Sequence, residues 1–144
     1  MSDAPQFLFA YGTLMSGLDC AMGRPERVRL AGETRSLGAA TVQGRLYELG
    51  SYPGFVMSDD PSERVAGEVL RIGDAAATLA WLDAYEGIGP ARHDGDRAEA
   101  DEYDRILVPA RLAGGTLVSV WIYRYRGGLA GLRWLQDGRW APAG

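Results

Sequence analysis

The sequence contains no lysine, and it has only one cysteine, Cys20, and one histidine, His93, among its 144 residues. A chain without lysine cannot form a lysine Schiff base, nor bind a phosphate with the lysine of a phosphate-binding loop. A zinc site or a thiol–imidazole pair would need both unique residues to meet, and no serine stands in a Gly-x-Ser-x-Gly context. We therefore expect a protein that needs no metal, no cofactor and no nucleophile of its own.

An excess of positive charge is also missing. The formal net charge is -4 and the isoelectric point is near 5.0, so the chain has no general attraction for nucleic acid or for an anionic membrane. No apolar run approaches the ~20 residues that span a bilayer, and residues 1–6 lack the basic character of a signal peptide. We expect a cytoplasmic protein whose partner is a small molecule, and the composition leaves its oligomeric state open.

The length of 144 residues and the 47% of hydrophobic residues predict a single domain over residues 1–144. Short apolar runs separated by turn residues predict a mostly β chain containing one helix. Gly44 is expected to mark a bend or bulge. Residues 16–30 are expected to be irregular or briefly helical, because Gly17, Gly23 and Pro25 prevent a long helix. The predicted strands are 7–10, then 37–42 and 44–49 as two short strands or one long bent strand, a hairpin of 55–57 with 65–72, and an antiparallel pair of 103–108 with 116–125.

The last of these strands has apolar residues on both faces. Trp121 and Tyr123 share one face, whereas Val120 and Ile122 share the other. A strand of this kind is typical of a central position, with a helix on one side and the interior of a barrel on the other. We expect Trp121 and Tyr123 to belong to the core.

A tight turn is predicted directly after the first strand, in the run Tyr11-Gly12-Thr13-Leu14. Its backbone N–H groups have no partner in a strand ladder, and a glycine without a Cβ lets a ligand oxygen approach them. Donors of this kind form oxyanion holes. The same residues also fit an ordinary strand-to-loop turn in which Tyr11 only packs, so the turn alone does not decide between the two interpretations.

A carboxylate is predicted on the apolar face of the helix. This helix runs from Asp74, a good N-cap, to Gly87, which suits the position just after a helix C-terminus. At about 100° per residue, Glu86 projects between Leu79 and Leu82. Burial and the negative end of the helix dipole are both expected to raise its pKa. Glu86 is therefore either a general base held near neutrality or the buried partner of an arginine.

Several short motifs follow one another along nearly the whole chain. They are Tyr11-Gly12-Thr13-Leu14 with Gly17, Gly44-Arg45-Leu46-Tyr47, Tyr52-Pro53-Gly54, Leu82-Asp83-Ala84-Tyr85-Glu86-Gly87 and Tyr103-Asp104-Arg105. Their order and spacing resemble those of the gamma-glutamylcyclotransferase-like superfamily, although no single motif is specific. The tail Leu135-Gln136-Asp137-Gly138-Arg139-Trp140 is similar to the Gly-Asp-Trp-type ending of that family, with Asp before Gly here.

The resemblance implies an α+β fold, with a mixed, largely antiparallel β-barrel-like sheet and flanking helices. It implies that the backbone amides of Gly12, Thr13 and Leu14 bind the substrate's carboxylate or acyl oxygen. It also implies that Glu86 is the acid/base, and that the Tyr103 hydroxyl is directed at the pocket. Tyr11 would shape the same pocket.

Arg105 belongs to the Tyr103-Asp104-Arg105 motif, but we expect it to have a structural role. A partly buried arginine needs an acidic partner, and Glu68 is a candidate for that partner. The acidic residues between 94 and 104 lack the spacing of a calcium-binding loop and are expected to be solvated.

These residues favour an intramolecular aminolysis, in which the α-amine of a gamma-glutamyl group attacks its own side-chain carbonyl and releases 5-oxoproline and an amine or amino acid. Because the substrate supplies the nucleophile, the protein must only fold the substrate, move one proton and stabilise an oxyanion. Two alternatives remain open. One is a non-catalytic binding or regulatory module on the same fold, and the other is removal of a gamma-glutamyl protecting group during biosynthesis.

Overall fold

The computed structural model describes residues 6–11, 24–49, 53–85 and 103–139. These ranges contain eight strands and two helices. The strands are β1 (Gln6–Ala10), β2 (Thr34–Gln43), β3 (Arg45–Glu48), β4 (Pro53–Val56), β5 (Arg64–Ile72), β6 (Tyr103–Leu112), β7 (Leu117–Tyr125) and β8 (Arg133–Trp134), and the helices are α1 (Arg24–Glu33) and α2 (Ala75–Tyr85).

Five of the strands close into a barrel. Their order is β1-β5-β2-β6-β7, and β1 returns to pair with β7 in parallel. The other four pairings of the circuit are antiparallel. β4 continues the sheet from β7, and β3 and β8 follow it. The predicted α+β fold with a mixed, largely antiparallel barrel-like sheet is thus confirmed.

The side-chain alternation of the strands produces two hydrophobic layers. Along β1, Phe9 points into the barrel, whereas Leu8 points outward to a layer that also contains Leu79 and Leu82 of α2. Along β7, Ile122 is inside the barrel and Tyr123 is in the outer layer. The predicted central strand with two covered faces is confirmed, and the buried leucines of α2 are confirmed with it.

Glycines shape the sheet at two places. Gly38 lies in a bulge of β2 against β5 with a φ of 99°, which an L side chain rarely adopts. Gly44 separates β2 from β3, and a Cβ there would lie 2.7 Å from the Val56 carbonyl oxygen. Gly44 therefore marks a bend between two short strands, one of the two forms predicted there, and the bulge at Gly38 was not predicted.

One prediction about local structure is wrong. The hairpin between the strands near residues 55 and 65 does not form, because β4 pairs with β3 and β7 while β5 pairs with β1 and β2. Helix α1 begins at Arg24, next to Pro25, and runs for ten residues, so the brief helix allowed before residue 30 starts at the proline and continues to Glu33. A proline in the first helical turn needs no N–H partner, so it is tolerated there.

Helix α2 begins as the sequence predicts. The Asp74 carboxylate accepts a hydrogen bond of 3.2 Å from the Ala77 backbone N–H, which is the bond expected of an N-cap. In the parts of the chain that the structure describes, no helix is long and apolar enough to cross a membrane.

Candidate functional site

The candidate site lies where strand β7 changes its neighbour. β1 pairs with β7 at Trp121, and β4 pairs with the same strand at Arg124. Tyr123 lies between these two points. A gap of this kind leaves backbone polar groups without a ladder partner, and these groups must find another one.

The side chain of Tyr11 fills this gap. Its hydroxyl donates a 2.6 Å hydrogen bond to the Tyr123 carbonyl and accepts a 3.2 Å hydrogen bond from the Phe55 N–H. Tyr11 is 8% exposed, and its ring packs against that of Phe55 with centroids 6.1 Å apart. The first residue of the predicted turn therefore joins three strands, and Gly12 follows it directly in the chain.

Tyr103 holds β4 from the opposite side of the sheet. Its hydroxyl donates a 2.9 Å hydrogen bond to the Pro53 carbonyl, and its ring meets that of Tyr125 edge-on at 5.8 Å. Tyr103 and Tyr11 thus both bond to the backbone of the same four-residue strand. The hydroxyl that the resemblance directs at the pocket binds the Tyr52-Pro53-Gly54 motif.

Gly54 explains why this strand can lie so close to β7. A Cβ at Gly54 would lie 2.8 Å from the Tyr125 Cβ, so a larger residue would push the two strands apart. The motif therefore provides both the close approach and the carbonyl that Tyr103 binds.

A polar cluster connects the sheet to helix α2. The Arg105 guanidinium donates two hydrogen bonds to Asp83, from Nε to Oδ1 at 2.8 Å and from Nη2 to Oδ2 at 3.0 Å. The Tyr123 hydroxyl donates a third to Oδ1 at 2.7 Å. The acidic partner of Arg105 is therefore Asp83, and the expected partner Glu68 is wrong, since Glu68 accepts a hydrogen bond from Ser36 instead.

The register of β6 and β7 assembles this cluster. Arg105 lies directly opposite Tyr123, and the next outward-facing residue of β7, Trp121, lies diagonally beside it. The guanidinium stacks over the Trp121 ring at 4.5 Å from its centroid. Its hydrogen bonds to the Asp83 carboxylate raise the pKa of Arg105 above its ordinary value.

Tyr123 connects Tyr11 to Asp83. Its backbone carbonyl receives the hydroxyl of Tyr11, and its own hydroxyl binds Asp83. Of the predicted site residues, the structure brings Tyr11 and Tyr103 to the edges of the same short strand. Gly12, Thr13, Leu14 and Glu86 lie outside the described residues, as do Cys20 and His93.

Sequence reasoning missed Tyr123 and Asp83 as members of the site. Tyr123 was expected only as a core residue, and Asp83 only as part of a motif. A useful signal was available for Asp83, because it stands three residues before Glu86 in the sequence, the spacing of neighbours on one helix face in the helix predicted from Asp74 to Gly87. Among the described residues, no group of three or more His, Cys, Asp or Glu side chains could hold a metal ion.

Comparison with known proteins agrees with this fold. Residues 8–142 match the family described as gamma-glutamyl cyclotransferase, AIG2-like. The chain is 35% identical over 96 residues to the gamma-glutamylcyclotransferase family protein YtfP of Escherichia coli strain K12. That match covers 67% of this chain and 66% of the relative, just under two thirds of its length.

Solved structures show the same architecture over a longer part of the chain. The solution structure of Escherichia coli YtfP superposes with a TM-score of 0.60 at 30% identity, covering 94% of this chain and 96% of that one. A crystal structure of an AIG2-like protein from Mus musculus gives a TM-score of 0.60 at 16% identity and covers 98% of both chains, which shows the shared fold. The chain belongs to the gamma-glutamyl cyclotransferase, AIG2-like family.

Proposed function

We propose that this protein is a cyclotransferase that converts a gamma-glutamyl amide into 5-oxoproline and a free amine or amino acid. The α-amine nitrogen of the gamma-glutamyl group attacks the side-chain carbonyl carbon, and the new C–N bond closes the ring. The bond to the leaving nitrogen breaks, and the proton lost by the attacking amine passes to that nitrogen. No water or external nucleophile is consumed.

Each predicted site residue has a role in this reaction. Glu86 takes the proton from the attacking amine and returns it to the leaving nitrogen. The backbone amides of Gly12, Thr13 and Leu14 stabilise the oxyanion that forms as the carbonyl is attacked. Tyr11 and Tyr103 shape the pocket by holding strand β4 in place.

The observation that carries the proposal is the bridge made by Tyr123. Tyr11 precedes the proposed oxyanion turn by one residue, and Asp83 precedes the proposed base by three. Both bind the same tyrosine, at 2.6 Å and 2.7 Å. The residues that precede the two proposed segments are therefore bound to a single tyrosine, and this supports a site built from a strand end and a helix end. Family membership supports the reaction class.

The direct test is release of 5-oxoproline from a panel of gamma-glutamyl amino acids, gamma-glutamyl amines and glutathione. Glu86→Gln is expected to fold normally and to lose turnover by ~10²- to 10⁴-fold, since it keeps the shape of the side chain and removes the base. Glu26→Gln in the first turn of α1 is the matched control and should keep its rate. Release at the parental rate by Glu86→Gln would remove Glu86 from the mechanism.

The same panel separates the alternatives. A non-catalytic binding module would bind these compounds without releasing 5-oxoproline. Removal of a protecting group in biosynthesis would be seen as turnover confined to one type of leaving amine. Because the substrate supplies the nucleophile, we expect Cys20→Ser, His93→Ala and added chelator to leave the rate within a small factor of the parent.

A further inference from the structure

The carboxylate of Asp83 accepts several hydrogen bonds from side chains outside its own helix. Its carboxylate receives two from Arg105 and one from Tyr123, and its side chain is 24% exposed. An aspartate near the end of a helix is placed unfavourably with respect to the helix dipole. The cluster offsets this cost by placing a fixed guanidinium against the carboxylate.

The donors of these hydrogen bonds lie on a long pair of neighbouring strands. Arg105 and Tyr123 lie opposite each other in the antiparallel β6–β7 pair, which extends over nine residue pairs. Tyr123 is 4% exposed. The bidentate guanidinium–carboxylate geometry fixes orientation as well as distance. Asp83 is thereby held in position relative to the barrel and not only relative to its own helix.

Two other side chains of α2, Thr78 and Trp81, are anchored in a different way. The Glu33 carboxylate, at the end of α1, accepts a 2.6 Å hydrogen bond from Thr78 and a 2.9 Å hydrogen bond from Trp81. These anchors connect α2 to the other helix. Besides the apolar contacts of Leu79 and Leu82, Asp83 connects α2 to β6 and β7 by side-chain hydrogen bonds, three residues before Glu86 in the sequence.

We propose that Asp83 is a positioning residue for Glu86, and that Arg105 and Tyr123 act through it. The inference rests on the proposed function, because it needs Glu86 as the base. Because Glu86 comes three residues after Asp83 in the sequence, we expect a shift of Asp83 to be passed along the chain to the proposed base. A displacement of about 1 Å at a reacting group costs ~10²-fold in rate. The cluster thus sets the turnover rate without touching the substrate.

The test compares Asp83→Asn, Arg105→Lys and Tyr123→Phe with the parent in kcat and KM. Asp83→Asn and Arg105→Lys each remove the bidentate ion pair while keeping much of the side-chain volume. We expect kcat to fall ~10- to 100-fold with KM changed by less than about twofold, because the base is displaced while the binding groups stay. Tyr123→Phe removes one of the three hydrogen bonds and should have a smaller effect of the same kind.

A matched control exists elsewhere in the sheet. Glu63→Gln breaks another bidentate pair, in which Arg45 binds Glu63 at 2.8 Å and 3.0 Å and stacks over Trp134. That pair does not involve α2. Glu63→Gln should lower the melting temperature while leaving kcat unchanged, so it separates a general loss of stability from a loss of positioning.

The outcomes distinguish this inference from the proposed function. If Glu86→Gln is inactive while Asp83→Asn and Tyr123→Phe keep the parental kcat, the positioning role is wrong and the base assignment stands. If Glu86→Gln keeps its rate, both are wrong. If Asp83→Asn does not fold, Tyr123→Phe and Arg105→Lys decide, and a fall in kcat with constant KM supports the inference.

Discussion

Two arginines in different regions of this protein are bound by the same types of partner, a carboxylate and a tryptophan ring. Arg105 binds Asp83 at 2.8 Å and 3.0 Å and stacks on Trp121 at 4.5 Å. Arg45 binds Glu63 at 2.8 Å and 3.0 Å and stacks on Trp134 at 4.2 Å. A tyrosine completes each cluster.

The difference lies in what each cluster connects. The Arg45 cluster joins β3 to the loop before β5 and to β8, so it holds strands and tail together. The Arg105 cluster joins the barrel to a helix that precedes the proposed base. The same type of ion pair thus joins strands to one another in one region and joins the sheet to a helix in the other. Only the second is expected to affect catalysis.

The largest difference in stability between the two clusters is expected when the arginine of each is replaced by alanine. Arg105→Ala leaves the partly buried Asp83 without its cation and should lower the free energy of unfolding by about 2 kcal/mol, between the values for exposed and fully buried pairs. The side chains of this pair are 22% and 24% exposed, so solvent screens part of the interaction. Arg45→Ala should cost less, because Arg45 is 37% exposed. Urea unfolding of both variants checks the order, and a larger loss for Arg45→Ala would contradict it.

A smaller difference is expected for the two tyrosine hydroxyls. Tyr123→Phe removes a 2.7 Å hydrogen bond to a carboxylate from a tyrosine that is 4% exposed, and should cost about 1 kcal/mol in the free energy of unfolding. Tyr47→Phe removes only a 3.4 Å contact with Arg45 and should change it by less than about 0.5 kcal/mol. Thermal unfolding measures both. Equal effects would show that the Tyr123 hydroxyl is not a specific part of the link.

The sequence predicted the fold where local pattern and position in the sheet agree. The apolar alternation of β7 indicated a strand covered on both faces, and Asp74 indicated the start of α2; both are confirmed. The order of motifs indicated the family. The hairpin expected after β4 failed because strand pairing is decided by the whole sheet. Nothing local in residues 55–72 shows that β5 pairs with β1 and β2.

The candidate site could be predicted only in part, because the partners of its residues also depend on how the whole sheet is assembled. Tyr11 and Tyr103 stood out through their motifs, but their partners lie 112 and 50 residues away in the chain. The partner of Arg105 could not be chosen between Glu68 and Asp83 without knowing which face of β6 meets α2. Once the register places Arg105 opposite Tyr123, the helix aspartate is the acid within reach.

The smallest expected difference is in stability at acid pH, and it concerns the Arg45 cluster alone. Hydrogen bonds from Arg45, and then from Ser58, hold the pKa of Glu63 below its ordinary value of 4.5. A carboxylate with a lowered folded-state pKa adds stability above its unfolded pKa, and this stability is lost as the pH falls through the folded value. The parent should therefore lose stability relative to Glu63→Gln as the pH is lowered below about 4.5, so the two unfolding free energies should converge. Urea unfolding of both proteins at a series of pH values from ~6 to ~3 measures this convergence. A difference that stays constant over that range would mean that Glu63 does not carry the charge on which the cluster depends.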